Sequence, residues 1–307
     1  MKNKIEASVI LPTYNRLPLL KNCLQAFSNQ TAKSFEIILI DDCSDDGTKE
    51  YIEKHDFKNL RYVRLEKRSG PYYARNLGIK EAKGEVIIFV DSDVIVFSNF
   101  VEDHMKIHKK EENIVVQGMV KHIKNLKKVN MNSFYLPNAL CLRTFITQNA
   151  SVRRKYLISV GGFEEFGPKM GYKDVDMGLK LRDLGLSWKY GIIKCKAFHI
   201  DGEITEENLM NIFEKWTKQG ASACYFVGKW GEKGEKYART KKALFFSDLL
   251  CTHKWVEGGN MPRLVEYSRK NFVFLYWILI GFIRYHYRSK GIKEVMIIEG
   301  ISDCSEL

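Results

Sequence analysis

Residues 36–48 read EIILIDDCSDDGT, an apolar, β-branched run that ends abruptly in an acidic cluster closed by a glycine. The same order recurs in SVILPTYNR at residues 8–16 and in VIIFVDSD at residues 86–93. Short, nearly continuous apolar runs are typical of strands that are buried on both faces of a parallel sheet. The three stretches therefore predict parallel strands whose polar ends meet at one edge of the sheet, where ligands bind in folds of this kind.

Stretches with helical spacing separate these apolar runs, and this alternation predicts a Rossmann-like, doubly wound, mostly parallel α/β sheet. From about residue 201 the pattern becomes mainly helical. We therefore expect an α/β domain over residues 1–200 and a helical C-terminal region over residues 201–307. The predicted strands are Ser8–Leu11, Glu36–Ile40, Leu60–Leu65, Val86–Val90 and Ile114–Val116, and the predicted helices between them are Leu17–Phe27, Thr48–Lys54, Tyr72–Ala82 and Asn99–Lys109.

The composition limits the function classes. The 307 residues include 49 Lys and Arg against 37 Asp and Glu, a net charge of +12, and 45% are hydrophobic, which excludes a disordered chain. The charge is consistent with nucleic acid, an anionic membrane surface or a phosphorylated small molecule as partner, or with solubility alone, and it does not choose among these. Seven scattered cysteines without a CxxC pair argue against a disulfide framework or a zinc site. No apolar stretch reaches the ~20 residues that cross a bilayer, so we expect a cytoplasmic protein.

Neither of the two common glycine-rich phosphate loops, GxGxxG or GxxxxGK[ST], is present. If the protein binds phosphate groups, it would therefore need a different kind of binding site for them. Asp91 and Asp93 follow an apolar run, and side chains two residues apart on an extended chain point to the same side. Carboxylate oxygens are preferred ligands of Mg²⁺ and Mn²⁺, so Asp91-Ser92-Asp93 predicts a cation site; the alternative is a plain turn that closes the strand.

Four blocks of the sequence, in order and at similar spacing, resemble the inverting glycosyltransferases of family 2, which have the GT-A fold. The resemblance covers about residues 7–200. It implies transfer of one hexosyl or N-acetylhexosaminyl group from a nucleotide-diphosphate sugar, expected to be a UDP-sugar, to a hydroxyl of a glycan or lipid-linked acceptor, with Mn²⁺ or Mg²⁺ as cofactor. The blocks are SVILPTYNR (8–16), IILIDDCSDDGT (37–48), ARNLGIKEAKGEVIIFVDSD (74–93) and GGFEEFGPKMGYKDVDMGLKLRDLG (161–185).

The resemblance also implies roles for the residues of the donor site. Asp42 matches the carboxylate that reads uracil, although residues of this cluster also suit the cap of the following helix. Asp91 matches the acid near the ribose, and the segment beginning at Arg75 matches the lining of the diphosphate site. The implied donor-binding residues are Pro12, Tyr14, Asp42, Arg68, Arg75, Asn76, Asp91 and Ser92.

The remaining roles concern the metal and the acceptor. Asp93 matches the direct metal ligand of the family, and His199 lies where some relatives have a further ligand. Asp174 matches the catalytic base, which removes a proton from the attacking hydroxyl. A second role as helix cap is compatible, because a helix N-terminus favours an ionised carboxylate. Lys173 replaces the usual Glu, which leaves open an alternative: a non-catalytic nucleotide-sugar or membrane-binding module with a degenerate acceptor site.

Three further features carry weaker predictions. His104 and His108 lie four residues apart in a lysine-rich helix and are expected on its solvated face rather than at a metal. The run Phe272–Ile283 predicts either a buried helix or an interfacial helix with a basic flank, which would bring the protein to the inner face of the cell membrane. PTYNR is not the loop of a sugar-nucleotide pyrophosphorylase, and no nucleic-acid reading motif is recognisable.

Overall fold

The computed structural model describes residues 4–124, 144–167, 171–202, 206–249, 265, 268 and 273–307. The chain divides into two compact units. The α/β unit comprises Met1–Glu164 and Asp174–Gly202, and the helical unit comprises Glu165–Lys173 and Glu203–Leu307.

Eight strands of the described residues form one sheet in the order β3-β2-β1-β4-β7-β6-β8-β5. The sheet is parallel from β3 to β4, whereas β7 runs antiparallel to both of its neighbours and β5 runs antiparallel to β8. The strands are β1 Ala7–Thr13, β2 Phe35–Asp41, β3 Leu60–Arg64, β4 Val86–Val90, β5 Val94–Val96, β6 Ile114–Ile123, β7 Asn149–Arg153 and β8 Ser187–Ile200.

The sheet is covered on both faces, and the five predicted strands are confirmed. Every residue of β1, β2 and β4 is buried. Successive side chains of a strand point to opposite faces, so Val9 and Leu11 pack into one core cluster while Ile10 packs into the other. Burial on both faces is the reason that these strands read as continuous apolar runs.

Six helices pack with this sheet in the described residues. A proline in the first turn pre-organises α1 and α3, and in α1 the residues Leu20, Cys23, Leu24 and Phe27 form the buried stripe. The four helices predicted between the strands are confirmed to within two residues at each end. The helices are α1 Leu17–Ser28, α2 Thr48–Lys54, α3 Pro71–Glu81, α4 Phe100–His108, α5 Arg154–Ser159 and α6 Lys173–Asp183.

The predicted solvated position of His104 and His108 on α4 is wrong. Both side chains are buried, and their rings contact the Ser151 hydroxyl of β7 through His104 Nδ1 and His108 Nε2, each at 2.8 Å. His104 Nε2 also lies 3.0 Å from the Asn149 side-chain oxygen. Burial lowers the pKa of His104 to about 4 and that of His108 to about 3, so both rings are neutral at pH 7.

The helical unit contains α7 Glu206–Ala238, α8 Thr240–Leu249, α9 Val273–Glu299 and a short 3₁₀ helix, Cys304–Glu306. Helices α7 and α9 approach so closely that a Cβ atom at Gly220 would lie 2.0 Å from the Arg288 carbonyl oxygen, so this position requires glycine. In this unit Ile280 and Ile283 are buried in a cluster with Phe213. This supports the buried-helix alternative for the end of the Phe272–Ile283 run, whose first residue lies outside the described residues.

The cysteines depart from the sequence expectation. A disulfide joins Cys224 of α7 to Cys304 of the 3₁₀ helix, across 80 residues of sequence. The expectation that the cysteines serve no disulfide is therefore wrong for this pair; the two residues are far apart along the chain, and only the fold brings them together. Among the described helices, none is both long enough and apolar enough to cross a membrane.

Candidate active site

The turns after β1 and β2 lie side by side because these strands are parallel and in register up to Thr13 and Asp41. Pro12 is a buried residue of β1, opposite Ile40. Just beyond it, the Arg68 guanidinium stacks on the Tyr14 ring, with 4.1 Å between its central carbon and the ring centroid. Such a stack forms a flat cationic and aromatic surface at the end of the sheet.

The two aspartates that end β2 have different partners. Asp41, which is fully buried, accepts hydrogen bonds from the Ser44 backbone N–H at 2.9 Å and the Tyr62 hydroxyl at 2.6 Å. Asp42 accepts hydrogen bonds from the backbone N–H groups of Ser69 and Gly70, at 2.6 and 2.8 Å. Asp42 therefore fixes the loop that carries Arg68, and its contact with a uracil ring stays a prediction.

Arg75 lies inside the site, in α3. Its Nη2 atom donates to Asp91 Oδ1 at 2.5 Å, and the side chain is 6% exposed. Burial lowers the pKa of Arg75, but the negative charges of Asp91 and Asp174 outweigh this effect, and the pKa is raised. The guanidinium therefore remains a fixed positive charge beside two carboxylates.

Both the nitrogen and the oxygen of the Asn76 side-chain amide form hydrogen bonds with the protein backbone. Its nitrogen donates to the Phe163 carbonyl at 2.7 Å, and its oxygen accepts from the Phe163 backbone N–H at 2.8 Å. A Cβ atom at Gly162 would lie 2.6 Å from the same amide oxygen. Asn76 thus anchors the Gly161-Gly162-Phe163 segment, and a contact with the diphosphate stays a prediction.

Asp93 follows β4 and is held among cations. One carboxylate oxygen, Oδ2, pairs with Arg16, and the other, Oδ1, lies 3.3 Å from His199 Nε2. Burial raises the pKa of Asp93, but His199 and Arg16 lower it more, and it ends below its usual value. Oδ1 is shielded from solvent and has no well-formed hydrogen bond among the described residues. A carboxylate oxygen and an imidazole nitrogen at this separation form a donor pair that suits Mn²⁺.

Asp174 lies in the first turn of α6 with its carboxylate turned inward. Oδ2 accepts hydrogen bonds from the Thr147 hydroxyl at 2.9 Å and the Thr147 backbone N–H at 3.2 Å. Oδ1 is shielded from solvent and, within the described ranges, has no hydrogen-bond partner. Burial raises the pKa of Asp174, and the charge of Arg75 and the hydrogen bonds from Thr147 only partly oppose it. An ionised carboxylate with one uncommitted oxygen and increased proton affinity can act as a general base.

The structure brings the predicted residues Arg75, Asp91 and Asp174 into one electrostatic cluster, and Asp93 into contact with His199. Ser92, between the two aspartates, is buried. Two participants were missed: Arg16, which directly follows the PTYN turn, and Thr147, which lies two residues before β7. The position of Arg16 beside a conspicuous motif was a usable signal, but the role of Thr147 depends on tertiary contact alone.

Lys173, which stands where the family usually has Glu, is 2% exposed. Its ammonium group lies 5.5 Å from the centroid of the Phe166 ring. The substitution therefore introduces a buried cation that contacts an aromatic face, rather than a solvated surface lysine.

Comparison with known proteins gives a consistent set of relatives. A family model described as Glycosyl transferase family 2 matches residues 8–166, slightly more than half of the chain. The uncharacterized glycosyltransferase YfnE of Bacillus subtilis strain 168 is 29% identical, in a match that covers 60% of this chain and 62% of that protein. The chain thus spans less than two thirds of this relative.

Two solved structures share the architecture. Staphylococcus aureus TarS 1-349 in complex with UDP-GlcNAc aligns with a TM-score of 0.57 at 20% identity, over 96% of this chain and 92% of that chain. The mannosyltransferase PcManGT from Pyrobaculum calidifontis in complex with GDP-Man and Mn²⁺ aligns with a TM-score of 0.61 at 17% identity, over 95% of this chain and 87% of that chain. At such identities the likeness concerns the fold, and it confirms the predicted GT-A architecture with a helical C-terminal region.

Proposed function

The chain belongs to glycosyl transferase family 2, and from this premise we propose that it moves a single sugar, with inversion, from a UDP-sugar to a hydroxyl of a glycan or lipid-linked acceptor. That it is a glycosyltransferase follows from the family. The donor nucleotide, the stereochemical course, the metal and the acceptor are the parts that we propose.

One observation carries the proposal: Asp93 Oδ1 and Asp174 Oδ1 are both shielded from solvent and have no well-formed hydrogen bond with the described residues. The pKa of Asp93 is below its usual value, and the pKa of Asp174 is above it. When two titratable groups of one site are shifted apart, they suit different tasks. Asp93 is suited to hold positive charge, and Asp174 is suited to accept a proton.

Asp93 and His199 are the residues that would hold Mn²⁺ or Mg²⁺. Asp93 Oδ1 is buried without a well-formed hydrogen bond from the described residues, which is the condition expected of an oxygen reserved for a ligand. The cation supplies charge neutralisation at the departing diphosphate. Arg75, which keeps its positive charge inside the site, adds to this stabilisation, and Arg68 extends it toward the nucleotide.

Asp174 performs the proton transfer. As the acceptor hydroxyl attacks the anomeric carbon, its proton passes to Asp174 Oδ1, while Oδ2 stays bound to Thr147. The two hydrogen bonds from Thr147 hold the carboxylate in one orientation through the reaction. Because the site offers one base and attack is direct, the new bond forms on the face opposite the leaving diphosphate and the configuration inverts.

The donor and acceptor classes are inferred from the solved structures and from the net charge. The TarS structure contains UDP-GlcNAc, which makes that nucleotide sugar the first candidate donor, and the PcManGT structure contains Mn²⁺, which supports a divalent cofactor. The net charge of +12 favours an acidic acceptor, such as a growing bacterial surface polysaccharide, and peripheral contact with an anionic membrane from the cytoplasmic side. The alternative function, a non-catalytic nucleotide-sugar binder, is supported only by Lys173.

The experiment is to incubate the purified chain with UDP-GlcNAc, UDP-glucose, UDP-galactose or GDP-mannose and to measure nucleotide release with Mn²⁺ or with EDTA. Slow transfer to water makes the assay independent of the acceptor. We expect one UDP-sugar to give metal-dependent release that Asp174→Asn abolishes and the exposed control variant Asp56→Asn preserves. Binding without release of any nucleotide, in any metal, would favour the non-catalytic alternative.

A further inference from the structure

Two side chains next to Asp93 and His199 have no role in the mechanism above. His122 lies on β6 and Asp201 directly follows β8, so both are at the sheet edge where the cation would bind. The strand register places His122 opposite His199 across the parallel β6–β8 pair. Backbone hydrogen bonds link Ile200 N to Asp93 O at 3.0 Å and Asp201 N to Ile123 O at 2.8 Å. The main chain therefore holds this group together rigidly.

The side chains of the group form a branched network. A single oxygen of Asp201, Oδ1, lies 2.8 Å from the Nδ1 atom of His199 and 2.8 Å from the Nδ1 atom of His122. The two imidazole rings are adjacent, with centroids 4.9 Å apart. A carboxylate can only accept hydrogen bonds, so both Nδ1 atoms are the proton-bearing donors.

This arrangement determines which nitrogen of His199 is available. When Nδ1 carries the proton of the neutral ring, Nε2 has the free lone pair, and Nε2 is the atom that lies 3.3 Å from Asp93 Oδ1. Burial lowers the pKa of His199, but its contacts with Asp93 and Asp201 raise it more, so without a metal Nε2 also takes up a proton and faces Asp93 as a donor. A metal cation would take the place of that proton between Nε2 and Asp93 Oδ1. Histidines that ligate metals commonly donate their second ring nitrogen to a carboxylate in this way, which fixes the tautomer and the orientation of the ring.

We propose that Asp201 is the positioning residue of the cation site: with His122 as its second donor, it holds His199 in the Nδ1–H tautomer and turns Nε2 toward Asp93. This inference rests on the proposed function, because the cation belongs to it. His122 stabilises the charged Asp201 carboxylate and orients it, without contacting the cation itself.

A different arrangement uses the same residues as ligands. One ligand atom each from His122, His199 and Asp201 lies within 4.8 Å of the others, as in a three-residue metal site. Such a site requires both Nδ1 protons to leave and both hydrogen bonds to Asp201 to break, whereas the positioning role keeps every contact in place. We therefore favour the positioning role, and the experiment separates the two.

The test measures Mn²⁺ affinity by electron paramagnetic resonance, in the presence of UDP, for the wild type and a set of variants. Asp201→Ala should weaken Mn²⁺ binding by about 10- to 100-fold, the usual effect of removing the carboxylate behind a ligating histidine. Asp201→Asn retains an acceptor oxygen and should recover a large part of the affinity. His122→Phe should have a smaller effect than Asp201→Ala, Asp93→Ala should abolish binding, and the exposed control Asp56→Ala should change nothing.

A second readout does not need the metal. Ring ¹⁵N chemical shifts of His199, recorded without metal at a pH where the ring is neutral, should report the Nδ1–H tautomer in the wild type and a mixture of tautomers in Asp201→Ala. Wild-type affinity together with an unchanged tautomer in Asp201→Ala would overturn the inference. So would Mn²⁺ binding that survives Asp93→Ala but not Asp201→Ala, since it would locate the ion among His122, His199 and Asp201. If the wild type binds no Mn²⁺ with UDP, the metal part of the proposed function fails, while the tautomer still decides the inference.

Discussion

The loop after β4 and the first turn of α6 each carry an aspartate with one carboxylate oxygen shielded from solvent, and the two carboxylates differ in proton affinity. Asp93 pairs with Arg16 and contacts His199, and its pKa falls below the usual value. Asp174 accepts hydrogen bonds from Thr147 and interacts with the Tyr72 hydroxyl, both neutral groups, and its pKa rises. Burial acts in the same direction on both, so directly contacting cations decide the difference.

The contacts of Arg75 explain why the pKa of Asp174 is not lowered as the pKa of Asp93 is. Its Nη2 atom donates a hydrogen bond to Asp91 at 2.5 Å, so the direct ion pair of Arg75 is with that carboxylate. Asp174 is influenced by the charge of Arg75 without pairing with it. Two aspartates of one fold can thus take different roles. The one that contacts cations has a lowered pKa and stays ionised, and the one without such a contact has a raised pKa and is suited to accept a proton.

The largest expected effect comes from Asp174→Asn, which keeps the shape of the side chain and removes the base. We expect turnover to fall by about 10²- to 10⁴-fold, the range typical of a positioned general base. Mn²⁺ affinity and UDP-sugar affinity should stay at wild-type values, and the unfolding temperature should not drop, because a shielded carboxylate with raised pKa is replaced by a neutral amide. Steady-state kinetics, calorimetric titration and thermal melts check these points; loss of donor binding in this variant would contradict the assignment.

Asp93→Asn is the matched change at the other carboxylate. It should reduce turnover by about 10²- to 10³-fold, the scale on which lost charge stabilisation affects a transition state. Unlike the residual rate of Asp174→Asn, the rate that remains should no longer respond to Mn²⁺ or EDTA. Assays of both variants across a Mn²⁺ concentration series make the comparison. If the rates of both variants responded equally to Mn²⁺, the proposed difference in role between Asp93 and Asp174 would be contradicted.

The pH dependence of turnover tests the comparison without a mutation. Asp174 must be ionised to accept a proton, and its pKa lies above the usual carboxyl value because of burial. The rate should therefore decline as the pH falls through that raised value, at a higher pH than an ordinary aspartate would give, while Asp93 remains ionised. The profile of kcat/KM between pH 4.5 and 9 measures this limb. A rate that stays constant down to the onset of acid unfolding would contradict the raised pKa.

The smallest effect concerns stability and involves the buried pair His104 and His108. His104 and His108 are buried and neutral, with pKa values of about 4 and about 3, whereas an unfolded histidine has a value of about 6.5. The unfolded state therefore binds more protons below pH 6.5. The free energy of unfolding should be undiminished well above that pH and should decrease as the pH falls from about 6.5 toward 4. Urea denaturation at a series of pH values should show a shallower decrease for His104→Gln; identical slopes would contradict the prediction.

The parallel half of the sheet and its polar edge could be predicted from sequence, because both follow from local patterns. The runs before Asp41 and Asp91 are nearly continuous and apolar on both faces, and the polar residues after them reach the same edge whenever the strands are parallel. Asp42, Asp93 and Asp174 could be singled out because each belongs to a recognisable block of sequence.

The rest depended on contacts that no local pattern encodes. The spacing of His104 and His108 is the same on a solvated or a buried helix face, so the wrong face was predicted. Cys224 and Cys304 are separated by 80 residues. The network of Asp201 arises only from the register of β6 against β8, and neither the pairing nor β8 itself was predicted.

The measurement that tests the central claim most directly is a calorimetric titration of UDP-GlcNAc into the wild type, Asp93→Asn and Asp174→Asn, each with Mn²⁺ and with EDTA. If a cation held by Asp93 receives the diphosphate while Asp174 waits for the acceptor, the wild type and Asp174→Asn bind tightly with Mn²⁺ and weakly with EDTA, and Asp93→Asn binds weakly in both. Binding that is indifferent to Mn²⁺ in the wild type, or that Asp174→Asn loses and Asp93→Asn keeps, would contradict this division of tasks.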